Sequence, residues 1–245
     1  MLNGSRFVIL LAAVVAALAT ARLGVWQLDR AAQKIALHDA MLRQRALPPL
    51  REAELARDTA TAQAQQHRST TLHGSWLAAA TVYLDNRPMD GRAGFYALTP
   101  LRLADGSVVL VQRGWLPRDV ADRTRIAAPP VPAGEVAVQG RLAAGPSRLY
   151  DFAGAASGPI RQNLELDAFA RETGLPLRPF IVVQEDAAND GLQRHWPQPA
   201  ADVHKHYGYA FQWFAMSTLI GGLYAWFQLI RPARRRSVAA DPQRT

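Results

Sequence analysis

The sequence predicts a membrane protein in which two transmembrane α-helices flank an exported α+β domain built on an antiparallel sheet or small open barrel. Three observations carry this. Two apolar stretches, Phe7–Trp26 and Tyr209–Ile230, are 20 and 22 residues long, which at about 1.5 Å per residue matches a hydrocarbon core about 30 Å thick. Between them lie about 180 residues of mixed polarity, the size of one domain with a single core. Within that segment, β-rich runs recur between turn signals without alternating with helices, which favours antiparallel pairing over βαβ units.

The expected order is a short N-terminus (1–6), a first span (7–26), a stalk helix and linker (27–66), the exported domain (67–205), a second span with its interfacial entry (206–230) and a basic tail (231–245). Beyond Trp26 the helical period continues through Leu28, Ala31, Ala32, Ile35 and Leu42 to Arg45, and Pro48-Pro49 ends it. Residues 50–66 are polar and Ala-rich, with room for one short helix. Strands are expected at Arg68–Gly74, Thr81–Asp85, Tyr96–Leu103, Val108–Trp115, Val136–Leu142 and Pro179–Gln184. Asp105-Gly106 marks a tight hairpin turn, and Gly91 and Gly94 a turn or a close strand approach. Leu164–Thr173 reads as an amphipathic helix stopped by Gly174 and Pro176, and 187–203 as a loop.

The net charge of +8 is concentrated at the ends. Arg231, Arg234, Arg235, Arg236 and Arg244 against Asp241 contribute half of it, and Arg6 one more. The basicity is therefore a topology signal rather than a nucleic-acid patch, and the positive-inside rule puts both termini in the cytoplasm. An alternative reading of the N-terminus is a secretory signal with a cleavage site near Ala19-Thr20-Ala21; it too exports the middle of the chain. The chain has no cysteine, which excludes thiolate metal sites, thiol nucleophiles and CxxC haem attachment. Any metal or haem must be held by His, Met, Tyr or carboxylate.

His206 occupies a position consistent with such a role without requiring it. It lies three residues before the second span, at the interface where an apolar porphyrin would meet water, and a neutral imidazole is a good axial ligand for haem iron. Ala210 and Trp213, four and seven residues on, share its helix face; the alanine leaves room for a macrocycle and the tryptophan could pack on one. Arg22 and Arg30, at the exit of the first span, could pair with propionates. The plainer reading stands beside this: an interfacial His, a snorkelling Arg22, an aromatic belt of Trp26, Tyr207, Tyr209 and Trp213, and small residues (Ala12, Ala13, Ala16, Ala17, Gly221, Ala225) that pack the two helices together. Arg113, Gly114 and Trp115, at a strand end, could form a partner surface, or Trp115 could belong to the core. No G-x-S-x-G, H-E-x-x-H or phosphate-cradling Gly loop is present, so the chain reads as a non-enzyme. An exported hydrolase with a site assembled in space is a third reading.

Five strings, in this order between the two spans, resemble the surfeit locus protein 1 (Shy-type) family of cytochrome c oxidase assembly factors. They are Gly24-Val25-Trp26-Gln27-Leu28-Asp29-Arg30, Asn86 to Tyr96, Thr99-Pro100-Leu101, Val109 to Pro117, and His206 to Phe214. The resemblance implies maturation of the haem a-containing catalytic subunit of the oxidase, with haem a bound transiently and handed over, and haem a synthase as a possible second partner. The family's histidine falls on His206 and its tryptophan on Trp26. The sequence departs from the family where some members carry Asn-Asn and this one has His204-Lys205. The runner-up within the resemblance is a scaffold that stabilises an assembly intermediate without haem. The high Ala and Arg content points to a bacterial inner membrane, with the main domain periplasmic.

Overall fold

The computed structural model describes residues 4–119, 121–122, 125–150, 158–197 and 203–232. Of the basic tail, Arg234, Arg235, Arg236 and Arg244 lie outside the described residues. The chain forms two compact units, residues 1–39 with 199–245, and residues 40–198.

The first unit holds two long helices. Helix α1 runs unbroken over Gly4–Ala46, past the predicted first span and through the predicted stalk. It contains no proline, and Arg43 and Arg45 in its last turn complement the negative end of the helix dipole. Helix α4 runs over His204–Tyr224 and continues as a π-helical turn over Ala225–Ile230. Both are long and apolar enough to cross a membrane. They run antiparallel: Gln27 meets His206 near one end, and the Ser217 hydroxyl donates to the Ala17 carbonyl at 2.9 Å further along. Between those points, a Cβ on Gly24 would sit 2.8 Å from the Phe214 ring, so the glycine lets the ring lie against the α1 backbone.

The second unit is β-rich. Helix α2 (Thr59–Ala64), capped by Asp58 accepting from the Thr61 N–H at 2.9 Å, fills the predicted short-helix position. Seven strands follow: β1 (Ser69–Trp76), β2 (Val82–Met89), β3 (Arg92–Leu103), β4 (Val108–Pro117), β5 (Glu135–Ala143), β6 (Ile160–Arg161) and β7 (Leu177–Gln184). Helix α3 (Leu166–Thr173) precedes β7 and ends at Gly174, as the sequence predicts. Strand β1 pairs with both β5 and β3, so β1-β5-β7-β4-β3 closes into a small barrel, and β2 and β6 extend the sheet from β3. Closure needs Gly74, whose Cβ would lie 2.2 Å from the Arg102 carbonyl oxygen.

The expected antiparallel sheet or open barrel is thus corrected in two respects. The ring is closed, and two pairings are parallel, β4 with β7 and β2 with β6. The reason is the return of the chain through α3, which inserts β7 between β4 and β5 in the direction of β4. Strand β2 also runs beyond its predicted end at Asp85. Asn86 takes a left-handed conformation (φ 61°) at a bulge, and pairing with β3 resumes at Arg87. Asn86-Arg87 is therefore a strand feature, not a loop. Asp90-Gly91 then forms a second tight hairpin, both residues at positive φ.

Strand β4 is buried on both faces. Val109 and Val111 face the interior with Leu72, Leu101, Val138, Leu142, Phe180 and Val182 from the other ring strands. Leu110 and Trp115 face an outer layer with Leu84, Leu98, Ile181 and the α3 residue Phe169. This is why β4 reads as a continuous apolar run rather than an alternating one. Each fully buried Leu, Val or Phe contributes roughly 1.5–3 kcal/mol through area removed from water. Ion pairs fasten the rim. Arg161 grips Glu172 of α3 through two 2.9 Å bonds, and Arg178 reaches Asp105 at 2.8 Å and the Ala56 carbonyl at 3.1 Å.

Candidate functional site at the start of the second long helix

His206 sits in the first turn of α4, half-buried, with its Nδ1 2.7 Å from Gln27 Oε1 of α1. An amide oxygen only accepts, so the imidazole donates through Nδ1–H; in the neutral ring this leaves the lone pair on Nε2. Such an arrangement fixes a ring's tautomer and orientation in metal-ligating histidines. Gln27 lies within the Trp26-Gln27-Leu28 string, yet sequence reasoning did not single it out. Nothing local marks it, because its partner is 179 positions away.

The other predicted residues divide. Trp26 and Arg30 come together, the Arg30 guanidinium carbon 5.6 Å from the Trp26 ring centroid, with Arg30 also donating to Gln33 at 3.2 Å. Arg22 is exposed one turn before Trp26, and Trp213 is half-buried two turns after His206. Ala210 does not leave an open berth for a macrocycle. It is 2 % exposed, so neighbouring atoms already cover that spot. His204 is exposed and His206 is not, in keeping with two positions about 200° apart on a helix. Of the small residues read as packing positions, Ala17 lies at the helix contact, whereas a side chain at Gly221 would meet nothing within 4 Å.

The donor set fits a haem better than a bare ion. Among the described residues no three His, Asp or Glu side chains gather to hold a metal. A haem supplies its own equatorial nitrogens and asks the protein for an axial imidazole, apolar walls and cations for its propionates. His206 offers one imidazole, and Trp26, Arg30 and Arg22 lie within two helical turns of its partner Gln27 on α1.

Arg113, Gly114 and Trp115 all lie inside the barrel domain. Trp115 is fully buried and its indole N–H donates to the Arg87 carbonyl at 2.7 Å. Gly94 makes room for it, since a Cβ there would be 2.4 Å from the indole. Gly114 lies under Leu192. Arg113, 2 % exposed at its side chain, donates to Asp190 at 3.1 Å and to the Pro130 carbonyl at 2.9 Å. Asp190 is shared with Arg194 at 2.7 Å. Burial pushes the Arg113 guanidinium below its ordinary pKa, and Asp190 opposes that shift. Of the two readings of Trp115, core and partner surface, this placement fits the core. The signal that would have favoured it is the unbroken apolar run from Val108 to Val111.

Fold and site together define a class: a chain with a small β-barrel domain and two helices long and apolar enough to cross a membrane, with one oriented imidazole opening the second helix. Within that class the assignment is direct. Residues 14–218 match the family model of the SURF1 family, and the chain belongs to that family. It is similar to the SURF1-like protein of Rickettsia bellii, 24% identical over 208 residues that cover 82% of this chain and 83% of the relative. It is also similar to that of Rickettsia conorii, 24% identical over 225 residues, 89% of this chain and 88% of the relative. A SURF1-like protein of Dictyostelium discoideum is 38% identical over 50 residues, 20% of this chain and 18% of the relative. The resemblance carried by the five strings therefore holds over most of the chain.

Proposed function

We propose that this protein is a non-enzymatic assembly factor for cytochrome c oxidase that binds haem a and delivers it to the oxidase catalytic subunit. Family membership supports the general role in oxidase assembly. The observation that carries the finer reading is the 2.7 Å contact between His206 Nδ1 and Gln27 Oε1.

In this reading the two helices span the bacterial inner membrane with both termini cytoplasmic, and the barrel lies in the periplasm. His206 sits at the outer face and offers Nε2 to the iron. Gln27 holds the ring in one tautomer by accepting the Nδ1 proton. Trp26 and Trp213 flank the porphyrin, and Arg22 and Arg30 pair with its propionates. Haem a, when bound, supplies the iron that the imidazole ligates. One imidazole, with no cluster of further His, Asp or Glu ligands among the described residues, would keep that bond exchangeable, as a carrier requires. The oxidase catalytic subunit, with haem a synthase upstream, is the partner this chemistry serves.

The test is spectroscopic. The chain is co-expressed with haem a-synthesising machinery, purified in mild detergent, and compared with His206→Ala and Gln27→Leu in reduced-minus-oxidised spectra. A haem a band is expected in wild type, absent in His206→Ala, and weakened by about 10–100-fold in affinity in Gln27→Leu. A band retained in His206→Ala would remove that residue as the ligand. No band in any of the three, from cells shown to make haem a, would leave the haem-free scaffold.

A further inference from the structure

A group of basic side chains from separate elements gathers where the last turn of α1 meets the barrel. Arg68 Nη2 donates to the Pro48 carbonyl at 2.7 Å, and the Leu50 N–H donates to the Ser69 carbonyl at 2.8 Å. These bonds bring the end of α1, which carries Arg43 and Arg45, to the start of β1. The His67 N–H donates to the Leu142 carbonyl and the Leu142 N–H to the Arg68 carbonyl, both at 2.9 Å, which sets Arg141 of β5 alongside. Glu185, just past β7, accepts from Arg45 Nη2 and, at 3.0 Å, from Arg141 Nε.

One carboxylate thus serves two guanidinium groups. Nη1 and Nη2 of Arg141, Nε and Nη1 of Arg45, and both ring nitrogens of His67 meet no acceptor among the described residues. None of these atoms is sealed from solvent: the Arg141 side chain keeps 18% of its surface, that of Arg45 31%, and His67 is half-buried. The next carboxylate, Asp186, is engaged elsewhere, accepting from the Gln139 N–H at 3.0 Å and from Gln184 Nε2 at 3.3 Å. Burial, then Arg141 and Arg45, hold the His67 imidazole below its ordinary pKa. The cluster carries a surplus positive charge on donors that reach solvent, and His67 adds another when it protonates.

We propose that Arg45, Arg141 and His67 form a docking site for an acidic segment of a partner protein. The paired Nη groups of a guanidinium match a carboxylate bidentately, and those of Arg141 are the free fork. Glu185 already shows the two arginines sharing one carboxylate of the chain's own. A free small anion at so open a place stays hydrated and gains little. A protein surface brings several carboxylates at once, and complementary charge sets its register as it docks. The groups that act on His67 are Arg141 and Arg45, with Glu185 bound to both. A carboxylate seated there favours the imidazolium, so the contact tightens as pH falls. The site uses no residue of the haem reading and is independent of it.

The test titrates the full chain, in non-ionic detergent, against fluorescein-labelled hexaglutamate and follows fluorescence anisotropy, with hexaglutamine as the reference peptide. Hexaglutamate is expected to bind more tightly than hexaglutamine. Arg45→Gln and Arg141→Gln should each weaken it by about three- to tenfold. Arg57→Gln removes the same charge beside Asp105, which Arg178 holds at the opposite end of β7, and should leave the affinity unchanged. Lowering the pH from about 7.5 to about 5.5 should tighten binding, and less so in His67→Asn, since asparagine tolerates the φ of 67° found there. Circular dichroism checks folding; if Arg141→Gln unfolds, Arg45→Gln, at a partly exposed helix end, decides the matter. Acetate, phosphate and glycerol phosphate should displace the peptide no better than chloride at equal ionic strength. Stronger displacement would make this a site for a small anion or a lipid headgroup and overturn the partner reading. Affinity retained in both arginine variants, or an equal loss in Arg57→Gln, overturns the site. A pH response undiminished in His67→Asn overturns the part given to that residue.

Discussion

The two units use the same apolar residue types in opposite ways. In the barrel, Val108 to Val111 are fully buried, Val109 and Val111 in the interior and Leu110 in the outer layer. In α4, Phe211 is 74% exposed and Leu219 59%, and α1 shows Leu18 at 65%. The helices meet each other through small and polar residues, Gly24, Ala17, Ser217, Gln27 and His206, with the Phe214 ring set against Gly24, and leave Phe211, Leu219 and Leu18 outside. The barrel is organised by the hydrophobic effect. The helix pair follows the rule for apolar surroundings, where close backbone approach and hydrogen bonds bring helices together. The oriented His206 sits in the unit that leaves its apolar surface uncovered, and the buried Arg113–Asp190 pair in the unit that covers it.

This contrast can be broken by experiment. The largest expected effect is in the barrel: Trp115→Ala should lose about 3–5 kcal/mol, from the cavity left behind and the orphaned Arg87 carbonyl. Urea unfolding followed by circular dichroism measures this, and a loss below about 1 kcal/mol would mean the barrel does not depend on close packing. A smaller effect is expected at the helix contact. Gly24→Leu collides with the Phe214 ring and should weaken pairing by about 1–3 kcal/mol, whereas Gly221→Leu meets nothing and should be neutral. Because the chain lacks cysteine, Ala17→Cys with Ser217→Cys gives an unambiguous cross-linking readout. Equal cross-linking in the two leucine variants would refute the contact.

The smallest effect is electrostatic. The Ser107 hydroxyl and N–H, with Arg178 and Arg57 adding, hold the Asp105 carboxyl below its ordinary pKa. The stability it contributes is therefore present above the unfolded carboxyl value near about 4, and is lost as pH falls through the lower folded value. Asp105→Asn should lower stability at neutral pH by a small amount, because the side chain is substantially exposed, and should converge with the parent protein as pH falls through that window, which flattens the acid side of the profile. Acid titration of the unfolding midpoint in both proteins checks it.

The elements were legible where one local signal governs them. Asp105-Gly106 fixes the β3–β4 hairpin, Gly174 stops α3, and Pro48-Pro49 follows the end of α1. Long-range pairing was not. Nothing in Leu177–Gln184 says that it runs parallel to β4, since a buried apolar strand has the same composition in either direction. Asn86-Arg87 reads as a loop pair by residue type and is part of a bulged strand, because β3 supplies partners again beyond the bulge. In the candidate site, His206 stood out by its position before an apolar run. Gln27 did not, because an interfacial glutamine acquires its role only through a residue on another helix. Arg113 looked like a surface residue because arginine usually is one; Asp190, 77 positions away, is what draws it inside.

Barrel closure has a consequence for the timing of folding. Strand β1 begins at Ser69, but its neighbour β5 is itself paired with β7, which ends at Gln184. A ribosome adding about 5–20 residues each second takes on the order of ten seconds to make that interval. During that time the early hairpin of β3 and β4 has no β7 to cover its open edge. The nascent domain therefore cannot close its ring until its last strand is made, and until then its open edge is available to proteases and to other unpaired strands.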